Sequence, residues 1–86
     1  MSEIELMEIF ADNLRDKMIE VGVGQNELAR EINVGKSTIS RYLSKERMPT
    51  LKVLLNICYI LECELEDLVP TYDIIEWHTN LLLKRD

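Results

Sequence analysis

The 86-residue chain has few cysteines, histidines and long apolar runs, and each shortage argues against a class of protein. Cys58, Cys63 and His78 are too few soft ligands to complete a tetrahedral zinc site. We therefore expect two buried, reduced thiols and neither a metal nor another cofactor. No apolar run approaches the roughly 18 to 20 residues of a membrane span, and the first residues are acidic where a signal peptide is basic. A cytoplasmic protein that does not contact a membrane is the expectation.

Signatures of catalysis are also missing from the sequence. There is no glycine-rich phosphate loop, and no nucleophile lies near a histidine or a pair of carboxylates. His78 stands next to Trp77 without such partners, a setting more typical of ordinary packing than of a ligand or a base. We therefore predict no enzyme and no small-molecule ligand. The composition, 47% hydrophobic and 30% charged, is that of one small folded domain.

The charge is unevenly distributed along the chain. The net charge of -6 disfavours a nucleic-acid partner, because binding to phosphates requires Lys and Arg. However, residues 25–50 contain five bases and three acids, whereas residues 1–24 contain two bases and six acids, and residues 51–86 contain three bases and seven acids. The middle of the chain is therefore its only basic part.

Breaks in the apolar pattern divide the chain into short helices. Gly, Pro, Asn or Thr interrupt it at residues 22–24, 33–35, 49–50 and 70–71, and between these breaks apolar residues recur at helical spacing. An all-α fold is predicted, with helices at about 3–21, 25–32, 36–44, 65–69 and 73–84, and one that begins after Thr50. Ser2 with Glu5 forms a capping box, and Thr50 caps its helix. The predicted buried faces are Met7, Phe10, Leu14, Met18 and Val21 in the first helix, and Leu51, Leu54, Leu55, Cys58 and Leu61 in the fourth.

Residues 25–44 have the features of two helices joined by a tight turn. The small Ala29 lets the helices cross closely, and Asn33 tolerates the left-handed conformation that the turn needs. Gly35 is expected to permit a sharp entry into the next helix. Val34 and Ile39 are spaced to fill the angle between the helices. Leu28 and Ile32 are expected to face the core beneath them.

The ordered motifs over residues 7–69 resemble the lambda-repressor-like family of Cro/cI or XRE-type helix-turn-helix proteins. The matching elements are QxxLA at 25–29, STIS at 37–40, Pro49 ahead of a helix, and LxxLLNICYILEC leading to LEDLV. Asn33 stands where the family usually has glycine, and Glu64 where it often has a Ser or Thr cap. The resemblance implies a five-helix DNA-binding domain at residues 1–70, to which this chain adds a C-terminal helix within residues 71–86.

The helix at 36–44 is the expected DNA-reading element. Ile39 with Tyr42 or Leu43 points inward, which leaves one strip outward, consisting of Lys36, Ser37, Thr38, Ser40 and Arg41. The resemblance implies base contacts from Lys36, Ser37, Ser40 and Arg41, and Arg41 is the first candidate because its planar fork matches guanine O6 and N7. Phosphate contacts are expected from Gln25, Asn26, Lys45 and Arg47. The acidic flanking helices are expected to face away from the duplex.

The segment 73–84 has one apolar side, formed by Ile74, Trp77 or His78, Leu81 and Leu82. It either folds back on the domain or forms a twofold contact through Trp77, Leu81 and Leu82, and we favour the dimer because one recognition helix buries too little surface for tight binding. The prediction is a regulator, most simply a repressor, that binds a pseudo-palindromic operator in double-stranded DNA as a homodimer.

Three alternatives accompany this prediction. The charged residues of the strip and the loop could serve only to keep the surface soluble. The helix-turn-helix could bind a partner protein, as in an anti-repressor or an assembly component, which the pI of about 4.7 favours. RNA binding is less favoured, because Tyr42 is the only aromatic residue near the strip.

Overall fold

The computed structural model describes residues 2–70, which form five helices and, within that range, no strand. The helices are α1 (Glu3–Val21), α2 (Gln25–Glu31), α3 (Lys36–Leu43), α4 (Leu51–Leu61) and α5 (Leu65–Leu68). This confirms the predicted all-α fold and its helix order. The predicted sixth helix at 73–84, with Trp77, Leu81 and Leu82, lies outside the described residues. None of the helices described is both long enough and apolar enough to cross a membrane.

Local capping explains where the helices begin and end. The Ser2 hydroxyl accepts a hydrogen bond from the Glu5 amide at 3.1 Å, and the Thr50 hydroxyl accepts one from the Val53 amide at 3.3 Å. Gly22 ends α1 in the left-handed conformation, with φ of 82°, and its amide donates to the Met18 carbonyl at 2.8 Å. Both predicted N-caps are therefore present, but the reciprocal bond of a capping box is not formed at Ser2, where the Glu5 carboxylate accepts from the Ser2 hydroxyl at 3.2 Å.

The short helix α5 begins with a cap that differs from the family pattern. The Asp67 carboxylate accepts from the Glu64 amide at 2.9 Å, so Glu64 is the residue before the helix, and α5 starts at Leu65. Asn13 of α1 donates from Nδ2 to the Leu68 carbonyl at 2.9 Å and holds the other end of α5 against α1. Side-chain bonds thus fix both ends of a helix of only four residues.

The buried face of α1 differs from the predicted face at its edges. Phe10, Leu14 and Met18 are buried as expected, but Leu6 and Ala11 are buried as well, and Met7 is only half-buried. Val21 is 43% exposed, which corrects its predicted place in the core. As the last residue of α1 it extends past the core, and Val23, after the turn, packs against the core from this end.

The buried face of α4 also requires a correction. Leu54, Cys58 and Leu61 are buried as predicted, but Leu51 is only half-buried, Leu55 is 50% exposed and Ile57, which was not predicted, is fully buried. Residues 54, 57, 58 and 61 follow the helical i, i+3, i+4, i+7 pattern, and residue 55 lies about 100° away from residue 54 around the axis. The pattern alone could not place the stripe, because α4 is apolar at most of its positions.

The core joins α1 to α3 through aromatic packing. The rings of Phe10 and Tyr42 meet edge to face, with centroids 5.9 Å apart and planes at 74°. Ile39, one turn before Leu43, is fully buried in the same cluster. Packing therefore holds the inner side of α3 against the domain and fixes the direction in which its outer side points.

Candidate nucleic-acid interface

The turn between α2 and α3 owes its sharpness to Asn33. Asn33 has φ of 59°, and the amide of Val34 reaches back to the Ala29 carbonyl at 2.9 Å. Ala29 is 2% exposed, in keeping with its expected place at the helix crossing. Gly35 has φ of -70° and ψ of 153°, which any residue adopts, and an added Cβ would make only ordinary contacts. The entry into α3 that Gly35 was expected to permit therefore does not depend on the conformational freedom of glycine.

The residues that were predicted to anchor α3 are buried. Leu28 is completely buried and Ile32 is 9% exposed, beneath Ile39. The sequence left open whether Tyr42 or Leu43 accompanies Ile39, and both do. Val34 is half-buried and packs against the core.

The opposite side of α3 is exposed at four of the five predicted positions. These four residues, here named the reading strip, are Lys36, Ser37, Ser40 and Arg41. Thr38 is half-buried, which corrects its predicted outward position. It lies one turn before the buried Tyr42, at the edge of the inner face, so its side chain is less available than those of the two serines.

The loop after α3 adds two exposed cations beside the reading strip, Lys45 and Arg47. Lys45 adopts a left-handed conformation with φ of 67°, and its Nζ lies 3.6 Å from Oδ1 of Asp12 on α1. Both side chains are largely exposed, so this pair contributes little to stability. The acidic face of α1 was expected to point away from this surface, but its Asp12 carboxylate lies beside Lys45.

Burial and a neighbouring positive charge act in opposite directions on the pKa of Tyr42. Burial raises the pKa of the Tyr42 hydroxyl, and the positive charge of Arg47 opposes that rise. The positive charge of Arg47 therefore acts on a residue of the inner face of α3.

Gln25 and Asn26, the predicted phosphate ligands of α2, are exposed at the beginning of that helix. The residue before the helix is Gly24, so no side chain accepts from the first amides. Those amides point outward from the helix start, where the dipole favours an anion.

Arg15 has a role that the sequence did not reveal. Its Nη2 donates to the Leu43 carbonyl at 3.2 Å, across 28 residues of chain, and so caps the C-terminal end of α3. A cation at this end also interacts favourably with the helix dipole. No local pattern marks Arg15, because its partner is a backbone carbonyl that only the fold brings near.

The two cysteines lie away from the reading strip and are free thiols. Cys58 is buried, and burial raises its pKa to about 12. Cys63 is half-buried, so the expectation of two buried thiols holds fully only for Cys58. Within residues 2–70, no group of three or more His, Cys, Asp or Glu residues is arranged to hold a metal ion.

The comparison with family models agrees with this geometry. Residues 13–73, more than half of the chain, match the model of the Cro/C1-type HTH DNA-binding domain. The chain belongs to this family. The match includes the whole helix-turn-helix and continues past α5. The family resemblance that was inferred from the motifs is thereby confirmed.

A solved structure shows the same fold. The chain is similar to the restriction-modification controller protein C.AhdI from Aeromonas hydrophila, with a TM-score of 0.67 and 22% identity, over 72% of this chain and 94% of that chain. At this identity the likeness concerns the fold. The comparison with curated proteins found no match. Within this Cro/C1-type domain, the second helix of the motif is α3, and the reading strip is its outward side.

Proposed function

We propose that the protein is a sequence-specific DNA-binding transcriptional regulator, and that it represses by occupying a pseudo-palindromic operator as a homodimer. One observation carries the proposal. The inner side of α3 is locked into the core by Ile39, Tyr42 and Leu43, while Lys36 and Arg41 stand exposed on its outer side. We propose no catalytic role, in keeping with a family of DNA-binding domains, and a site of action inside the cell, where the DNA is.

The dimensions of α3 suit the major groove. A helix of eight residues is about 12 Å long, close to the roughly 12 Å width of the groove, so its N-terminal end can reach base edges. Arg41 is assigned to guanine, whose O6 and N7 can accept two hydrogen bonds from one guanidinium group. Lys36 is assigned to a base or a phosphate. Ser37 and Ser40 offer short hydroxyls to the bases. Thr38 is a weaker candidate, because it is half-buried.

Phosphate contacts are assigned to the two ends of the reading strip. Gln25 and Asn26 bind at the beginning of α2, and Lys45 and Arg47 bind from the loop after α3. Such contacts hold the register of the protein on the duplex without reading its sequence. They also make binding depend on salt, because each neutralised phosphate releases counterions.

The dimer is assigned to the apolar side of the C-terminal segment, at Trp77, Leu81 and Leu82. Two recognition helices related by a twofold axis would read two half-sites about one DNA turn apart. The support is energetic: one small module buries roughly 600 to 1,000 Å² on DNA, less than most specific complexes do.

The test begins with selection of bound sites from random duplex DNA by the full chain. A palindromic consensus is expected, and Arg41→Ala should weaken binding to it by about 10- to 100-fold, which corresponds to roughly 1 to 3 kcal/mol for a bidentate base contact. Lys17→Ala is the matched control. This substitution also removes one positive charge, but Lys17 lies on α1, where it donates a hydrogen bond to Glu20 and where the charge of Asp67 helps to raise its pKa.

Two outcomes would contradict the proposal. In one, the selection enriches no sequence and the slope of log K against log salt is near zero. The other is an Arg41→Ala protein that binds the selected site as well as Lys17→Ala does. Either result would favour a domain that uses the same fold to bind a protein partner.

A further inference from the structure

A groove of about 790 Å³ lies between α2 and α4, away from the reading strip. The apolar part of its lining includes Val23, Leu55, Tyr59 and Ile60. Leu55 is 50% exposed and Tyr59, one turn further along α4, is 83% exposed. No residue of α3 or of the following loop lines the groove, so a ligand there would leave the DNA-facing side free. Two neighbouring large apolar side chains in a concave surface are typical of a site that binds an apolar partner.

Four carboxylates also line the groove, and we name the whole feature the acidic groove. They belong to Glu27 and Glu31 of α2 and to Glu62 and Glu64 beside the end of α4, and all four are exposed. Glu27 and Glu31 are one helical turn apart, where like charges repel. The acidic groove therefore suits an occupant that combines apolar side chains with positive charge. It opposes face-to-face packing of two identical grooves, which would bring eight carboxylates together.

The chain itself contains a segment with this chemistry. Ile74, Trp77, Leu81 and Leu82 lie at helical spacing, and Lys84 with Arg85 follow Leu83, whereas Asp73 and Glu76 stand at the other end of the segment. In a helix, residues 73–84 would extend about 18 Å, with the cationic pair at one end. We propose that the acidic groove of one copy receives residues 73–85 of a second copy, and that the exchange is reciprocal. This rests on the proposed homodimer and names the surface on which Trp77, Leu81 and Leu82 pack.

The segment is assigned to the groove of a second copy, and not to the groove of its own chain, because the same residues form the proposed dimer contact. Glu64 lines the acidic groove, and α5 then runs along α1 until the Leu68 carbonyl meets Asn13. Val69 is completely buried and extended, with φ of -142° and ψ of 154°. Residues 70–72 then span at most about 10 Å.

Trp77 is the single tryptophan of the chain, so its fluorescence reports directly on this contact. In the full-length protein we expect a dimer by sedimentation equilibrium and a blue-shifted emission. Tyr59→Glu should raise the dimer dissociation constant by at least about tenfold, since interface tyrosines are often hot spots, and should shift the emission to that of a solvent-exposed indole. Ile4→Glu is the matched control: Ile4 is 65% exposed but lies on α1, outside the groove, and its substitution should change neither measurement.

A mixing experiment distinguishes exchange between copies from docking within one chain. Tyr59→Glu damages the groove and keeps the segment, and Trp77→Ala damages the segment and keeps the groove. Under reciprocal exchange, a mixture of the two proteins forms a heterodimer with one intact contact, in which the remaining tryptophan is again blue-shifted. Docking within one chain would restore neither the dimer nor the emission.

The inference is overturned if Tyr59→Glu leaves sedimentation and emission unchanged, or if the mixture restores nothing. Failure of the proposed DNA function would look different, because no duplex would then be bound while sedimentation and emission still responded to Tyr59→Glu. If both proposals hold, Tyr59→Glu should bind a duplex with one half-site as the unaltered protein does, since that needs only one reading strip, and lose only the extra affinity for the full palindrome. Arg41→Ala should lose half-site binding and keep the groove contact.

Discussion

Arg15→Ala tests whether the end of the recognition helix is held by a long-range cap. The Arg15 guanidinium donates one bond, at 3.2 Å, to the Leu43 carbonyl. A cation near a helix C-terminus is worth about 0.3 to 1 kcal/mol at the surface, and a hydrogen bond from a charged group contributes more where water is excluded. Since Arg15 is exposed, we expect its removal to cost about 1 kcal/mol of the free energy of unfolding, or about 4 to 8 °C in Tm for a domain of this size.

The effect on DNA binding separates a cap from a direct contact. A frayed last turn of α3 would misplace Arg41, so operator affinity should fall by up to about fivefold, the equivalent of 1 kcal/mol. The slope of log K against log salt should stay unchanged, because Arg15 neutralises no phosphate in this role. Arg47→Ala is the comparison, and its slope should fall by about 0.9 for each phosphate that the variant no longer neutralises.

Urea denaturation and fluorescence anisotropy at several salt concentrations measure both quantities on the same proteins. The reasoning is refuted if Arg15→Ala lowers the salt slope as Arg47→Ala does, since Arg15 would then bind phosphate. It is equally refuted if the urea midpoint does not move. A lower midpoint with an unchanged m-value is the expected signature of reduced stability without a change in the unfolded state.

Three further predictions follow from particular contacts. Leu54→Ala should cost about 2 to 5 kcal/mol in urea denaturation, and Leu55→Ala clearly less, because only Leu54 is fully buried within the domain, whereas Leu55 lines the acidic groove; equal losses would contradict the assigned face of α4. Burial raises the pKa of Cys58 to about 12, so between pH 9 and 12 the thiol ionises in the unfolded chain but not in the folded one, and the free energy of unfolding should fall over that range; Cys58→Ala should flatten that decline. Asp12→Asn should free Lys45 and raise operator affinity up to about fivefold at low salt, with no effect at high salt, and lower affinity would contradict a competing role.

Much of the fold could be predicted because the signals are local. Ser2 and Thr50 cap the helices that follow them, and Gly22 ends α1. Asn33 takes the left-handed conformation that the turn requires. Each of these acts within a few residues of its own position, where the chain order already determines which groups can meet.

Predictions about faces succeeded where the pattern contrasts apolar with polar residues and failed where it does not. In α3, polar and charged residues alternate with Ile39, Tyr42 and Leu43 at helical spacing, so the outward side could be predicted except at Thr38, on its edge. In α4 most positions are apolar, so Leu55 was assigned to the buried side and Ile57 was left out of it. A helix without polar contrast gives no indication of which side its neighbours will cover.

The order of residues by itself determined that this chain forms short helices around a helix-turn-helix whose second helix exposes Lys36 and Arg41, because caps and the 3.6-residue period act over a few positions. Only the tertiary structure decided that Arg15 caps α3, that Asp12 pairs with Lys45, and that Leu55 and Tyr59 share a groove with four glutamates. These contacts join residues far apart in the chain, and their distances exist only once the helices have packed.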